Sequence, residues 1–337
     1  MHIYQTTPAR RSRFLWLRRL FMAALLLLGI CSAVFLLFFR GYVVETAEGP
    51  VLRLPFFAED VTVPAFSGEA VTVYKPGSGA PSPLQAVLLP LEAVEDGTAA
   101  DLMRAAGGNA LILDMKDVSG QLRYVSALPE AIAARTSAAD PARNDMLSAF
   151  NRALGTYTIA RVACFPDGAM AENYPDMALP RASGSPWREE DGQPWLSPAS
   201  AAAQGYVLAL CRELHALGFD EVLLTGCAYP TGGRQELLAA SVPRGAIARA
   251  AALADFYARL QQLSAETGLH ISILLEGGEA SGQRLADLVP FAAHVCLSLA
   301  DSKALEEAAQ GDPAARLEAL VPVLSAPGEE GAAWAVF

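Results

Sequence analysis

The sequence predicts an α/β protein: a (β/α)8 TIM barrel preceded by one N-terminal transmembrane helix and a short strand-containing stalk. Three observations carry this. Eight apolar runs of strand length recur beyond residue 85, Ala-, Leu- and Arg-rich stretches of helical period separate most of them, and the chain opens with an uncharged run of bilayer length. The predicted parts are a basic cytoplasmic segment at 1–19, a transmembrane helix at 20–39, a stalk and linker at 41–84, and the barrel at 85–337.

The head comes first. Residues 1–40 hold six arginines, at 10, 11, 13, 18, 19 and 40, and no Asp or Glu. Leu20 to Phe39 is uncharged. At about 1.5 Å per residue such a helix spans the roughly 30 Å hydrocarbon core. Five arginines before it and one after it predict a cytoplasmic N-terminus and an extracytoplasmic body, anchored in the cell membrane by a single pass. The competing reading is a cleaved signal peptide ending near Cys31, Ser32 and Ala33, but the residues that follow are too apolar to begin a mature chain.

From Gly41 to about Gln85 short apolar pieces alternate with Pro and Gly and end in PGSGAPSP, which reads as a stalk with a few strands and then a linker. The candidate barrel strands are 86–91, 110–116, 157–165, 221–227, 270–276, 294–299, 320–325 and 332–337. The clearest helices are 98–107, 141–154, 200–217, 246–267 and 302–310. Gly218 and Gly268 sit where helices end before the next strand. Continuous apolar strands alternating with helices imply parallel pairing under a helical cover, and eight such units in about 250 residues have the size of a closed barrel. The rival is an open doubly wound sheet, but no glycine-rich phosphate loop follows the first strand.

Composition excludes several classes of function. The whole chain carries −11, and with the head set aside the body carries 19 basic against 36 acidic residues, or −17. Nucleic acid is therefore not a predicted partner. The five cysteines, at 31, 164, 211, 227 and 296, show no paired framework and read as buried free thiols, with a Cys164–Cys227 disulfide as the alternative outside the cytoplasm. The four histidines have no metal-ligand spacing, so no metal and no other cofactor is predicted.

Barrel chemistry belongs at the C-terminal ends of the strands. Those ends supply Glu92, then Asp114, Lys116 and Asp117, then Phe165 and Asp167, then Thr225 to Pro230, then Glu276, then Asp301. Lys116 stands between two aspartates and is one of only three lysines. The longest loop, Pro166 to about Pro198, brings Tyr174, Trp187 and Trp195. Aromatic faces beside carboxylates suit a carbohydrate, although the same tryptophans serve equally to pin a long loop to the rim. Arg161, inside the third strand, is read either as a ligand contact or as the ion-pair partner of Asp114.

Several ordered motifs then resemble a bacterial family of putative glycoside hydrolases, similar to the α-amylase-like barrels. They are NALILDMKDVSG, YTIARVACF followed by Asp167, the segment Pro175 to Ala178, the pair Trp187 and Arg188, GQPWLSP, and LGFDEVLL followed by Tyr229 and Pro230. The resemblance covers roughly 85–300 and is sharpest at 109–230. It implies a barrel that acts on or binds a cell-wall or other polysaccharide. The chain departs from the family at the fourth strand, where Thr225 replaces a common Asp and Ala228 a common Arg, and at Pro166, where Lys is common.

Hydrolysis by the usual route needs two carboxyl groups. In the amylase-like arrangement they are an Asp ending strand four and a Glu ending strand five. Glu276 fits the second place by strand order. Thr225 does not fill the first, so the enzyme reading recruits Asp117 or Asp114 beside Glu276. The alternative is a catalytically inactive carbohydrate-binding barrel, or a cell-surface scaffold, with Asp114, Lys116, Arg161, Asp167, Trp187, Arg188, Trp195 and Tyr229 as the ligand-binding set.

Overall fold

The computed structural model describes residues 79–153, 156–298 and 319–337, together with residues 22, 43–46 and 49–52. It divides into two units, Met1–Thr72 and Val73–Phe337. In the first, Val43–Thr46 pairs antiparallel with Gly49–Leu52 as a hairpin. The expected membrane helix, most of the stalk, the expected helix at 302–310 and Asp301 lie outside the described residues. Among the described residues no helix is long and apolar enough to cross a membrane.

The second unit is a closed barrel of eight parallel strands. They are β1 (Gln85–Leu89), β2 (Ala110–Lys116), β3 (Tyr157–Ala163), β4 (Glu221–Thr225), β5 (His270–Leu275), β6 (Val295–Ser298), β7 (Leu320–Leu324) and β8 (Trp334–Val336). Each pairs with the next in sequence, and β8 closes onto β1 with Ala335 opposite Ala86. The eight expected runs therefore form the eight strands, in order. Several strands end earlier than the apolar runs do, because residues such as Cys164 and Phe165 continue the buried surface into the loop.

Side-chain alternation sets the two cores. Ala86, Ala110, Ile112, Tyr157, Ile159, Leu223, Cys296, Val321 and Ala335 form one cluster, and the intervening residues, among them Leu111, Leu113, Val222, Leu224, Ile271 and Ile273, join the larger cluster under the helices. Five helices matter here: α1 (Ala99–Ala105), α2 (Ala142–Asn151), α3 (Gly168–Asn173), α4 (Ala201–Ala216) and α5 (Ala246–Thr267). Gly268 closes α5 at φ 77, the left-handed geometry the sequence places there. From α5, Leu253, Phe256, Leu260 and Leu263 are all buried, each contributing about 1.5–3 kcal/mol by removal from water.

At the N-terminal end of the barrel, the first residues of β3, β4 and β5 form a polar network. The Tyr157 hydroxyl donates to Glu221 at 2.9 Å and lies 2.7 Å from His270 Nδ1. His294 Nδ1 lies 3.1 Å from the same carboxylate. Polar groups at this end serve stability, whereas chemistry in such barrels sits at the opposite face.

Candidate active site

Because all eight strands are parallel, their C-terminal ends share one face, and a cleft of about 310 Å³ opens there. Three carboxylates line it, those of Glu276, Glu189 and Asp191. Glu276 directly follows β5, and Glu189 comes from the long loop after β3. Thr225, Trp195 and Tyr229 line it as well.

Glu276 is held at two points. Its own N–H donates to Gln283 Oε1 at 2.9 Å, and its Oε2 accepts the Gly226 N–H, just beyond β4, at 2.8 Å. Gly226 is a required glycine. Its φ is +58, and a Cβ there would lie 2.5 Å from the Pro166 ring.

Glu189 is placed by a loop that folds back onto the rim. The Leu196 N–H donates to the Phe165 carbonyl at 2.7 Å, Trp187 N–H to Leu179 at 2.7 Å, and Glu189 N–H to Gln193 at 2.9 Å. Trp195 Nε1 then donates to Glu189 Oε2 at 3.0 Å. Burial pushes the Glu189 carboxyl above its ordinary range. The Trp195 hydrogen bond opposes that shift, and the negative charges of Asp191, Glu276 and Glu190 add to it. The Glu276 charge therefore acts on Glu189 across the cleft.

The loop's root is fixed by a buried ion pair. Lys116 Nζ lies 3.0 Å from Asp167 and donates to the Ala163 carbonyl at 2.6 Å. Asp167 also caps α3 by accepting the Met170 N–H at 2.8 Å. Both side chains are almost wholly inaccessible, so neither presents a polar group to the cleft.

Of the expected site residues, the structure brings Glu276, Trp195 and Tyr229 together. It does not bring Asp117 there: its Oδ1 accepts from Ser119 N and Oγ and from Gln121 N, closing its own turn. Asp114 and Arg161 pair with each other through two hydrogen bonds of 2.5 and 2.8 Å, with the guanidinium 5.2 Å from the Phe337 ring, which is the ion-pair reading of Arg161. Trp187 is fully buried and its Nε1 donates to the Arg234 carbonyl, so it pins the loop and offers no face for stacking. Arg188 is exposed and pairs with Glu172. Cys164, Cys211, Cys227 and Cys296 are buried free thiols.

Glu189 is not among the expected site residues. The signal was present in WREEDGQPW, three consecutive acids between two tryptophans in the longest loop.

Residues 94–284 match the family model described as Putative glycosyl hydrolase domain. No curated protein matches the chain. Among solved structures, a hypothetical protein from Ruminiclostridium thermocellum is 20% identical with a TM-score of 0.46, over 56% of this chain and 96% of that one. An alpha-galactosidase from Thermus thermophilus is 16% identical with a TM-score of 0.40, over 64% of this chain and 41% of that one. A chitinase from Chromobacterium violaceum is 15% identical with a TM-score of 0.38, over 73% of this chain and 72% of that one. The match spans less than half the length of the galactosidase.

Proposed function

The chain belongs to the family described as Putative glycosyl hydrolase domain, and on that premise we propose that it hydrolyses a polysaccharide with Glu189 and Glu276 as the two carboxyl groups. One observation carries the reading: these two acids, from different elements, line a single open cleft at the C-terminal face of the barrel.

Their environments divide the roles. Glu189, pushed toward its protonated form, donates a proton to the glycosidic oxygen as the bond to the leaving group breaks. Glu276, oriented by the Gly226 N–H, acts as the carboxylate, either as base toward water or as nucleophile at the anomeric carbon. The anomer of the first-formed product distinguishes these two courses. Glu189 thus replaces Asp117 or Asp114 as the carboxyl partner of Glu276, and as the proton donor it takes the role that strand order assigned to Glu276.

The decisive experiment is release of reducing ends from cell-wall and capsular polysaccharides by the full chain and by E276Q and E189Q. Products that vanish in both variants support hydrolysis. Turnover unaffected by either substitution would place the chemistry elsewhere.

A second reading, a binding barrel without catalysis, is favoured by Thr225 at the end of β4, where the resemblance implies an Asp. Glycan binding that persists in the wild type with no reducing ends released selects it.

The uncharged run from Leu20 to Phe39 and the arginines before it support a membrane-anchored protein with the barrel outside the cytoplasm. Resistance of the full chain to alkaline extraction from membranes, with the barrel accessible to external protease in spheroplasts, tests that placement.

A further inference from the structure

Immediately beside the cleft lies a second cavity of about 440 Å³, and Thr231 lines both. Its walls include Arg244 and Arg249, and among the described residues none of its lining side chains is acidic. Neither arginine forms an ion pair among the described residues.

Arg249 is unusual for a buried cation. It is 8% exposed, and every acceptor it reaches is neutral: the carbonyls of Pro230, Ala280 and Pro243 and the amide oxygen of Gln235. Carbonyl oxygens satisfy its hydrogens and leave its charge uncompensated. Its guanidinium lies 5.4 Å from the ring of Tyr229, whose own hydroxyl is buried, has no hydrogen-bond partner, and belongs to a residue that lines the cleft. Arg244 acts on it as a second positive charge.

The backbone adds to the field. The 22-residue helix α5 begins at this cavity, with Gly245 at its N-cap in a positive-φ conformation and no side-chain cap, so no side chain of the cap accepts from its first-turn amides. Two guanidinium groups and a helix N-terminus converge on one space, with no acid among its described lining residues.

The cleft next door has the opposite character. Glu189, Asp191 and Glu276 line it, and no Lys or Arg does. A negatively charged group is repelled from the cleft and attracted to its neighbour, with which the cleft shares Thr231.

We infer that the Arg244–Arg249 cavity is a subsite for an anionic substituent, a carboxylate or a sulfate, carried by the glycan whose adjacent linkage lies in the Glu189–Glu276 cleft. This rests on the hydrolase reading and narrows its substrate class to acidic polysaccharide. It also fixes the register, because the charged sugar is confined to one side of the scissile bond.

The test is calorimetric binding to the full chain at low ionic strength, with a panel of uronate and sulfated oligosaccharides, each beside its carboxyl-reduced or desulfated counterpart, and inorganic sulfate alone. The expected result is that an acidic member binds at least roughly tenfold tighter than its neutral counterpart, as one charge-assisted contact allows. Exposed Arg244 carries the mutational arm, since Arg249 also ties the carbonyls of Pro230, Pro243 and Ala280 together and its loss endangers folding. R244E should erase the acidic preference, and R104E on α1, remote in sequence and paired with Asp101, should retain it. No acidic preference anywhere in the panel, or a preference that survives R244E, overturns the proposal. Inorganic sulfate binding as tightly as the oligosaccharides overturns the glycan source and leaves a free-anion site. An acidic preference without turnover sinks the hydrolase reading alone, whereas turnover confined to neutral glycans sinks the subsite alone.

Discussion

Trp195 donates its indole N–H to the Glu189 carboxylate at 3.0 Å, six residues away along the same rim loop. That bond favours the ionised carboxylate, against burial and three neighbouring acids that favour the neutral one. W195F removes the only one of these influences that lowers the Glu189 pKa. The basic limb of the pH–activity profile, set by loss of the Glu189 proton, should therefore move to higher pH. E189Q should lose that limb and roughly 10²–10⁴ in rate. A basic limb that stays in place in both variants would show that Glu189 does not supply the proton.

A second prediction concerns the other end of the barrel. Burial opposes both charges of the His294–Glu221 pair, yet each partner's hydrogen bond and charge prevail. His294 is raised from its ordinary 6.5 and Glu221 lowered from 4.5. A raised histidine stabilises the fold fully below its unfolded value and loses that contribution as pH rises through the folded one. A lowered glutamate contributes above its unfolded value and loses it as pH falls through the folded one. The pair therefore stabilises most between about 4.5 and 6.5. H294Q, which leaves a buried carboxylate without its cation, should cost about 3–5 kcal/mol in that window. Urea unfolding at pH 5.5 and pH 9 measures it, and a penalty equal at both values would mean the pair is not charged.

Gly226 joins backbone geometry to the proposed catalysis. It combines a left-handed φ, contact with Pro166, and the N–H that orients Glu276 at 2.8 Å. G226A forces the added methyl into the proline ring, so either Pro166 or the Gly226 amide shifts. The expected loss is about 1–3 kcal/mol of stability. Misplacement of Glu276 should also cost roughly 10- to 100-fold in kcat. Near wild-type kcat in a folded G226A would mean that the amide does not position the acid.

The barrel was legible because strands buried on both faces are continuous apolar runs, and ALILDMK forms β2 over its whole length. The place of Glu276 was legible for the same reason: strand order alone puts it at the C-terminal face of the barrel, where the cleft opens. Glu189 was not. No periodicity specifies how the segment from Pro166 to Pro198 folds back, and its course is set by isolated pairings such as Pro166 with Trp195 and Arg188 with Pro194. Within it, three consecutive acids look like an ordinary solvated turn. Trp187 misled for a related reason, since a loop tryptophan stacks on a ligand or pins the loop according to what faces it. Here Gly233 faces it, at φ +68, where a Cβ would lie 2.8 Å from the ring.

Lys116 gives the sharpest contrast between a residue's apparent and actual surroundings. Its position between two aspartates at a strand end suggests a sugar ligand, yet its ammonium is sealed against Asp167 and the Ala163 carbonyl. Asp167 in turn starts α3 and opens the loop that delivers Glu189. K116M strands a buried carboxylate, which should cost about 3–5 kcal/mol, and pairing it with D167N should restore most of that loss, because an amide oxygen still caps the helix while the orphan charge is gone. Thermal unfolding of the single and double variants reads this directly. If Lys116 instead contacted the glycan, K116M would weaken binding at unchanged stability, and D167N would rescue nothing. Rescue of stability together with activity would establish that the pair acts through the loop root, holding Glu189 over the cleft from a distance.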